Sequence, residues 1–224
     1  MKVVEIFDSI EGEGKRAGQT ATFIRFAGCN LRCSYCDTTY ALFGEKEECV
    51  YTEMSIEEIL EKVNPDWKRV TLTGGEPLIQ KEIDTLIDAL CDMGCEVNIE
   101  TNGTVNTKHY TLNPNVFVTI DYKLPSSGEC EKMDINNFTA LDKNDVIKFV
   151  VGSSEDIDCM ENIVARLKCI YPPSKLPIMY TGAVFGEIDM QCLVEKIVNS
   201  KILKDVIFQL QIHKFVWNPE ERGV

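Results

Sequence analysis

The stretch Phe26-Ala27-Gly28-Cys29-Asn30-Leu31-Arg32-Cys33-Ser34-Tyr35-Cys36-Asp37-Thr38 holds three cysteines, with three residues between the first two and two between the last two. A structural zinc site takes four ligands, usually as two separated pairs. A thioredoxin-like redox site needs one pair. Three thiolates in one short loop instead suit a cubane iron–sulfur cluster, which ordinarily takes four cysteines. With Cys29, Cys33 and Cys36 as the protein ligands, one iron is left to bind something else, and such a site is reactive. The plainer alternative is three thiols that share a surface loop or hold adventitious zinc.

Working outward, Thr22 to Phe26 alternates as a strand and carries Arg25 just ahead of the cysteines. A guanidinium there can grip a carboxylate bidentately or form an ordinary surface ion pair. Val3 to Phe7 reads as a first strand. Between the two lies Asp8 to Gly18, rich in glycine and carboxylate, whose backbone can approach a ligand closely. On the other side, Ser55-Ile56-Glu57-Glu58 is a capping box that opens a helix through Val63, ended by Pro65. Arg69 to Thr73 is a β-branched, buried strand running into Thr73-Gly74-Gly75-Glu76-Pro77. The glycines offer backbone groups to a ligand, and Glu76 can accept hydrogen bonds from a cation.

Gln80 to Met93 carries Ile83, Leu86, Ile87 and Leu90 on one helix face, and Gly94 stops it. Further strands are expected at Val97 to Glu100, Val116 to Ile120, Val146 to Val151, Ile178 to Thr181 and Val206 to Gln211. Helices are expected from the Ser153 cap to Cys169 and from Ile188 to Ser200. Strands alternating with helices imply a mostly parallel sheet with its site at the C-terminal strand ends. Cys29 to Cys36, Gly74 to Pro77, Glu100 to Asn102, Asp121 to Lys123 and Gln211 all follow expected strands. There are too few repeats for an eight-unit barrel. The fold class is therefore α/β, a partial (incomplete) β/α barrel, as one domain over 1–224 with an open side for substrate. The aromatic tail His213 to Pro219 is expected to dock.

The 224 residues suffice for a substantial core. No stretch approaches a membrane span, and the N-terminus lacks the apolar run of a signal peptide, so the expected location is the cytoplasm. A net charge of −13 argues against a nucleic-acid grip. Ten cysteines in such a chain imply a reducing compartment. Cys91 and Cys95 read as buried thiols on one helix face, with a second cluster as the sharper alternative.

The cysteine spacing, with Gly74-Gly75-Glu76-Pro77, resembles the radical S-adenosylmethionine (SAM) superfamily. The resemblance implies that SAM chelates the open iron through its amino and carboxylate groups. One electron then cleaves it to methionine and a 5′-deoxyadenosyl radical, which takes a hydrogen from the substrate. Ser9-Ile10-Glu11-Gly12-Glu13-Gly14, Phe23-Ile24-Arg25, Gly28-Cys29-Asn30-Leu31 and Cys36-Asp37-Thr38 together resemble the 7-carboxy-7-deazaguanine synthase family. One departure is Glu11, where the family has glutamine. An ionised glutamate only accepts, yet it can take two N–H bonds from a guanine-like edge.

That resemblance implies conversion of 6-carboxy-5,6,7,8-tetrahydropterin to 7-carboxy-7-deazaguanine and ammonia, on the way to queuosine. The hydrogen is taken from C6, no side chain performs the abstraction, and SAM is re-formed. Ile10, Glu11, Gly12, Glu13, Arg25 and Thr73 would surround the pterin, with Arg25 on its carboxylate. Tyr35, Cys36, Asp37, Gly75, Glu76, Asp121, Tyr122, Lys123 and Gln211 would contact SAM. Thr38 and the substrate carboxylate would hold Mg²⁺, which takes oxygen ligands and keeps several waters. The terminal carboxylate at Val224 can also reach the substrate in such enzymes. Neither His109 nor His213 is assigned to catalysis. An electron donor such as flavodoxin or ferredoxin and a homodimeric state are further expectations. The competing readings are an activating enzyme for a glycyl-radical enzyme, which shares the cysteine loop and glycine turn, and a non-catalytic metal-binding module.

Overall fold

The computed structural model describes residues 1–45, 48–184, 187–218 and 221–223, and in it the alternation of strand and helix becomes one sheet. Among those residues nine strands join in the order β3-β1-β2-β4-β5-β6-β7-β8-β9. They are β1 (Lys2–Ile10), β2 (Thr20–Phe26), β3 (Thr52–Glu53), β4 (Arg69–Gly74), β5 (Glu96–Thr101), β6 (Val116–Tyr122), β7 (Val146–Val151), β8 (Ile178–Ala183) and β9 (Val206–Phe208). From β2 and β4 onward the pairing is parallel. β1 runs antiparallel to β2, and β3 to β1. With β3 and β9 at opposite edges the sheet does not close, as an incomplete barrel requires.

The helices are α1 (Ile56–Leu60), α2 (Ile83–Asp92), α3 (Ser154–Ile170), α4 (Met190–Asn199) and α5 (His213–Val216). Ser55 and Ser153 both cap with a reciprocal capping box. α1 ends before Val63 because the Lys62 and Val63 amides bond back three residues, to Ile59 and Leu60, and tighten the last turn. α2 starts at Ile83 rather than Gln80. Pro77–Ile79 forms a 3₁₀ turn closed by Gln80 N on the Pro77 carbonyl, and the Gln80 side-chain Nε2 donates to the Ala27 carbonyl at 2.7 Å. Gly94, at φ +79°, ends α2 before Cys95, so Cys91 and Cys95 do not share a helix face.

The sheet has two chemically different faces. Val70, Leu72, Val97, Ile99, Val118, Ile120, Ile147 and Phe149 pack with Leu86 and Leu90 of α2 and Met160, Val164 and Leu167 of α3. Each such side chain contributes roughly 1.5–3 kcal/mol by leaving water. The alternate positions Thr71, Thr73, Asn98, Glu100, Thr119, Asp121 and Lys148 make a polar wall on the other face. Burial of that wall is tolerated because its groups pair with one another. Thr73 Oγ1 donates to Glu100 at 2.7 Å and Thr119 Oγ1 to Asn98 at 3.0 Å. Among the described residues no helix is long and apolar enough to cross a membrane.

Candidate active site

The three-cysteine loop leaves the end of β2 and is pinned from several sides. Gly28, at φ +93°, donates its N–H to the Ala41 carbonyl at 2.7 Å and accepts from the Glu76 amide at 2.8 Å. A Cβ at Gly75 would run into the Gly28 carbonyl, so the close approach of the two loops requires glycine there. Arg32 Nη1 donates to the Cys29 carbonyl at 2.9 Å, and Ser34 N to the Ser127 carbonyl at 3.0 Å.

Cys29, Cys33 and Cys36 are all free and half-buried. Burial, with the neighbouring Cys36, Asp121 and Cys29, pushes the Cys33 thiol up to about 11 against the pull of Lys123. Held as a thiolate it would therefore need a cation. Among the described residues no three His, Cys, Asp or Glu side chains converge as ligands of one metal ion. Three cysteines on a cubane each take a different iron, so they stand wider apart than the ligands of a single zinc. The Cys29 sulfur already receives N–H donors, the Leu31 amide at 3.4 Å and the Asn102 side chain at 3.5 Å. Donors to sulfur of this kind tune iron–sulfur clusters. The donor set fits the group.

Beside the loop, Asp121 Oδ2 lies 2.8 Å from Lys123 Nζ and Oδ1 lies 3.4 Å from Lys148 Nζ. Burial alone would raise the Asp121 carboxyl, but the two lysines hold it below its usual range. The buried Tyr35 hydroxyl has no hydrogen-bond partner among the described residues. Asp37 pairs with Lys214 at 3.2 Å and accepts from the Thr38 hydroxyl at 3.0 Å. Glu76 is fully buried and accepts from the Leu78 amide, the Thr101 hydroxyl and the Asn102 amide at 3.0, 2.8 and 2.7 Å. Burial still pushes it up to about 6. Its carboxylate ties the end of β4 to the end of β5 and leaves the Gly75 backbone to face the loop. The Tyr122 ring lies in the core, with ring centroids 5.0 Å from Phe138 and 6.1 Å from Phe149.

The acidic loop after β1 folds back over the polar wall. Thr71 donates to Glu11, which is 2 % exposed, and Lys148 Nζ is 2.7 Å from Glu13 Oε1. The tail holds this loop from outside. Ile212 N donates to the Gly12 carbonyl at 2.9 Å and Gly14 N to Gln209 Oε1 at 2.6 Å. A Cβ at Gly12 would meet the His213 ring. Gln209 N still donates to the Thr181 carbonyl at 2.9 Å, and the Ile212 bond then draws the chain off the sheet short of Gln211. Gln211 Nε2 reaches Glu13 at 3.4 Å. Arg25 Nε bonds Glu5 Oε1 at 2.7 Å, and the Tyr40 hydroxyl donates to the same oxygen at 2.9 Å. The Arg222 guanidinium sits 4.0 Å from the Tyr40 ring centroid. Val224 lies outside the described residues.

Burial, with Glu100 close by, pushes Glu11 up to about 7 from an ordinary 4.5. The folded chain therefore holds a proton that the unfolded chain has lost, and stability falls as pH rises through that interval. Between pH ~6 and ~8 the thermal midpoint of the wild type is expected to drop, and that of Glu11→Gln to change less. Parallel profiles would show that Glu11 does not titrate in that range.

Arg25 and Thr73 thus stand side by side near the C-terminal ends of β2 and β4, with the cysteine loop and Asp121 beyond them, while Ile10 and Glu11 lie toward the far end of β2 and Gly12 and Glu13 carry the loop across the polar wall. Lys148, Glu5, Tyr40 and His213 join this region without having been singled out as site residues. The one signal for Lys148 was a lysine inside the otherwise apolar run Val146–Val151.

Residues 23–113 match the family model described as the radical SAM superfamily. The chain is 45 % identical to 7-carboxy-7-deazaguanine synthase of Clostridium acetobutylicum, covering 100 % of this chain and 99 % of that one. It is 39 % identical to the protein of the same name from Chlorobaculum tepidum, covering 100 % and 97 %. Among solved structures it is similar to QueE from Escherichia coli, with TM-score 0.70, 24 % identity and 93 % of each chain covered. It also resembles Streptococcus suis SuiB bound to S-adenosylmethionine, with TM-score 0.50, 15 % identity and coverage of 84 % and 51 %.

Proposed function

The chain belongs to the 7-carboxy-7-deazaguanine synthase family of radical SAM enzymes, and from that premise we propose that it converts 6-carboxy-5,6,7,8-tetrahydropterin to 7-carboxy-7-deazaguanine and ammonia. One observation carries this reading beyond the family. The three-cysteine loop and the Gly75 turn stand at the C-terminal ends of β2 and β4, and the acidic loop, leaving β1 at the far end of β2, crosses the polar wall toward them and is tied to Asp121 through Glu13 and Lys148. A 4Fe–4S cluster on Cys29, Cys33 and Cys36, with SAM on its remaining iron, would supply the radical that takes hydrogen from C6.

The chain's own groups bind, orient and exclude water. Arg25, its plane fixed by Glu5, neutralises the pterin carboxylate. Glu11, Gly12 and Glu13, with Ile10 and Thr73, take the pyrimidine edge and the ring. The Gly75 backbone and Tyr35, Cys36, Asp37, Asp121, Lys123 and Gln211 receive SAM. Glu76 and Tyr122 serve by fixing the strand ends on which these groups sit. The whole chain acts as one domain whose tail holds the substrate loop closed, which the Ile212–Gly12 and Gln209–Gly14 bonds support. Flavodoxin or ferredoxin would deliver the electron, and the working form would be a cytoplasmic homodimer.

The Thr38 hydroxyl would help hold Mg²⁺, which would supply charge to offset the substrate carboxylate. No cluster of three acidic side chains stands ready for it among the described residues, so its other ligands would be substrate oxygens and water. Turnover is expected to fall at least about tenfold in excess chelator and to return with Mg²⁺. An unchanged rate would remove the ion and the Thr38 role together.

An activating enzyme for a glycyl-radical protein would need a groove wide enough for a protein loop. Here the Glu11 loop is bonded down to the tail, which favours a small substrate. Anaerobic incubation of the pterin with this protein, SAM, Mg²⁺ and a reductant should give a product lighter by one NH₃. SAM cleavage with the pterin left unchanged would contradict the synthase reading.

A further inference from the structure

Lys148 lies between the core residues Ile147 and Phe149, yet its own side chain crosses to the polar face. Its Nζ is 2.7 Å from Glu13 Oε1 and 3.4 Å from Asp121 Oδ1, and the other Asp121 oxygen is 2.8 Å from Lys123 Nζ. The four side chains are between 12 % and 18 % exposed, so water does little to screen them. Gln211 Nε2, at 3.4 Å, shares the Glu13 oxygen that Lys148 holds. A file of alternating charges therefore runs from Glu13 of the substrate loop, through Lys148 of β7 and Asp121 of β6, to Lys123 at the edge of the cysteine loop.

Resting on the synthase reading, we propose that Lys148 is a positioning residue whose single ammonium orients Glu13 at the pterin and Asp121 at SAM together, so that each ligand tightens the other's binding. An ammonium is a compact donor with no acceptor, so two carboxylates must divide its attraction. When pterin N–H groups occupy Glu13, the ammonium is released toward Asp121 and fixes that carboxylate in the place it presents to SAM. Linkage makes the effect reciprocal. Glu100 stands behind the same ammonium. A second buried carboxylate there makes loss of the cation costly at either end.

The test is SAM binding by anaerobic calorimetry to the reconstituted protein, with the cluster left oxidised so that nothing turns over. It is run with and without saturating 6-carboxytetrahydropterin. In the wild type the pterin is expected to tighten SAM about fivefold or more. Lys148→Met should bring that ratio to one, and Lys148→Arg should keep part of it. If Lys148→Met does not retain its cluster, Lys148→Gln, neutral but still able to donate, should likewise give a ratio of one. A neutral variant that binds both ligands more weakly and melts lower, yet keeps the wild-type ratio, would make Lys148 merely structural and overturn the proposal. A wild-type ratio of one would overturn it too, leaving the synthase reading intact. A wild type that binds SAM but no pterin would instead overturn that reading, and this proposal with it.

Discussion

Cys33→Ala is expected to leave a folded protein without its iron–sulfur cluster and without detectable SAM cleavage. The nearby carboxylates are already engaged, Asp121 by Lys123 and Lys148 and Asp37 by Lys214 and Thr38, so the loop has no free substitute for the missing thiolate. Its backbone, by contrast, is held independently of the sulfur. Gly28 is tied to Ala41, Ser34 to Ser127, and the Glu76 amide to Gly28. The thermal midpoint of the unreconstituted variant should therefore stay close to that of the unreconstituted wild type, while iron content after reconstitution and the visible absorption both collapse. Cys130→Ala and Cys159→Ala, which sit outside the loop, should retain both. A Cys33→Ala protein that still cleaved SAM would remove the cluster assignment.

Arg25→Met is expected to raise the KM for the pterin on the order of 100-fold, because a desolvated, charge-assisted carboxylate contact is worth about 3 kcal/mol. The expectation rests on how Arg25 is held. Glu5 takes its Nε and Tyr40 steadies Glu5, so the guanidinium plane is set before substrate arrives. Removing it also leaves the Glu5 carboxylate facing the incoming one, so the loss exceeds that of a single contact. Arg25→Lys keeps the charge but loses the fork, and an intermediate loss of about tenfold follows. SAM cleavage in the absence of pterin should survive both changes, which separates a substrate contact from a collapsed site. A lowered thermal midpoint with KM unaltered would reduce Arg25 to an ion pair of the β1–β2 hairpin.

These two residues also mark what a one-dimensional reading reaches. Cys29, Cys33 and Cys36 were legible because the ligands of one cluster fall within a single loop, where spacing is itself geometry. The parallel strands were legible from their β-branched runs, and the site at their C-terminal ends followed from topology. Gly75 stood out as part of a motif, but its reason, the carbonyl of Gly28 lying where a side chain would go, exists only in three dimensions. The polar wall was hidden for a different cause. Thr71, Asn98, Thr119 and Lys148 come from four strands, and each looks like a lone interruption of an apolar run. Glu5 and Tyr40 are 35 residues apart in sequence, yet they bond directly to each other beside Arg25. β9 is shorter than its apolar pattern suggests because, after the Gln209 N–H has bonded Thr181, the Ile212 N–H turns to the acidic loop, a tertiary preference no local pattern records. Glu76 shows the reverse case. Its motif suggested a ligand contact, and three donors of its own chain already occupy it.

The most direct measurement is product formation with SAM limiting. The purified, reconstituted chain is supplied with excess 6-carboxytetrahydropterin, Mg²⁺ and reductant, and with less SAM than substrate. Several molecules of the deazapurine acid per SAM, with little 5′-deoxyadenosine accumulating, are expected of a synthase that re-forms its cofactor. One 5′-deoxyadenosine for each SAM consumed, with the pterin recovered whole, would contradict it.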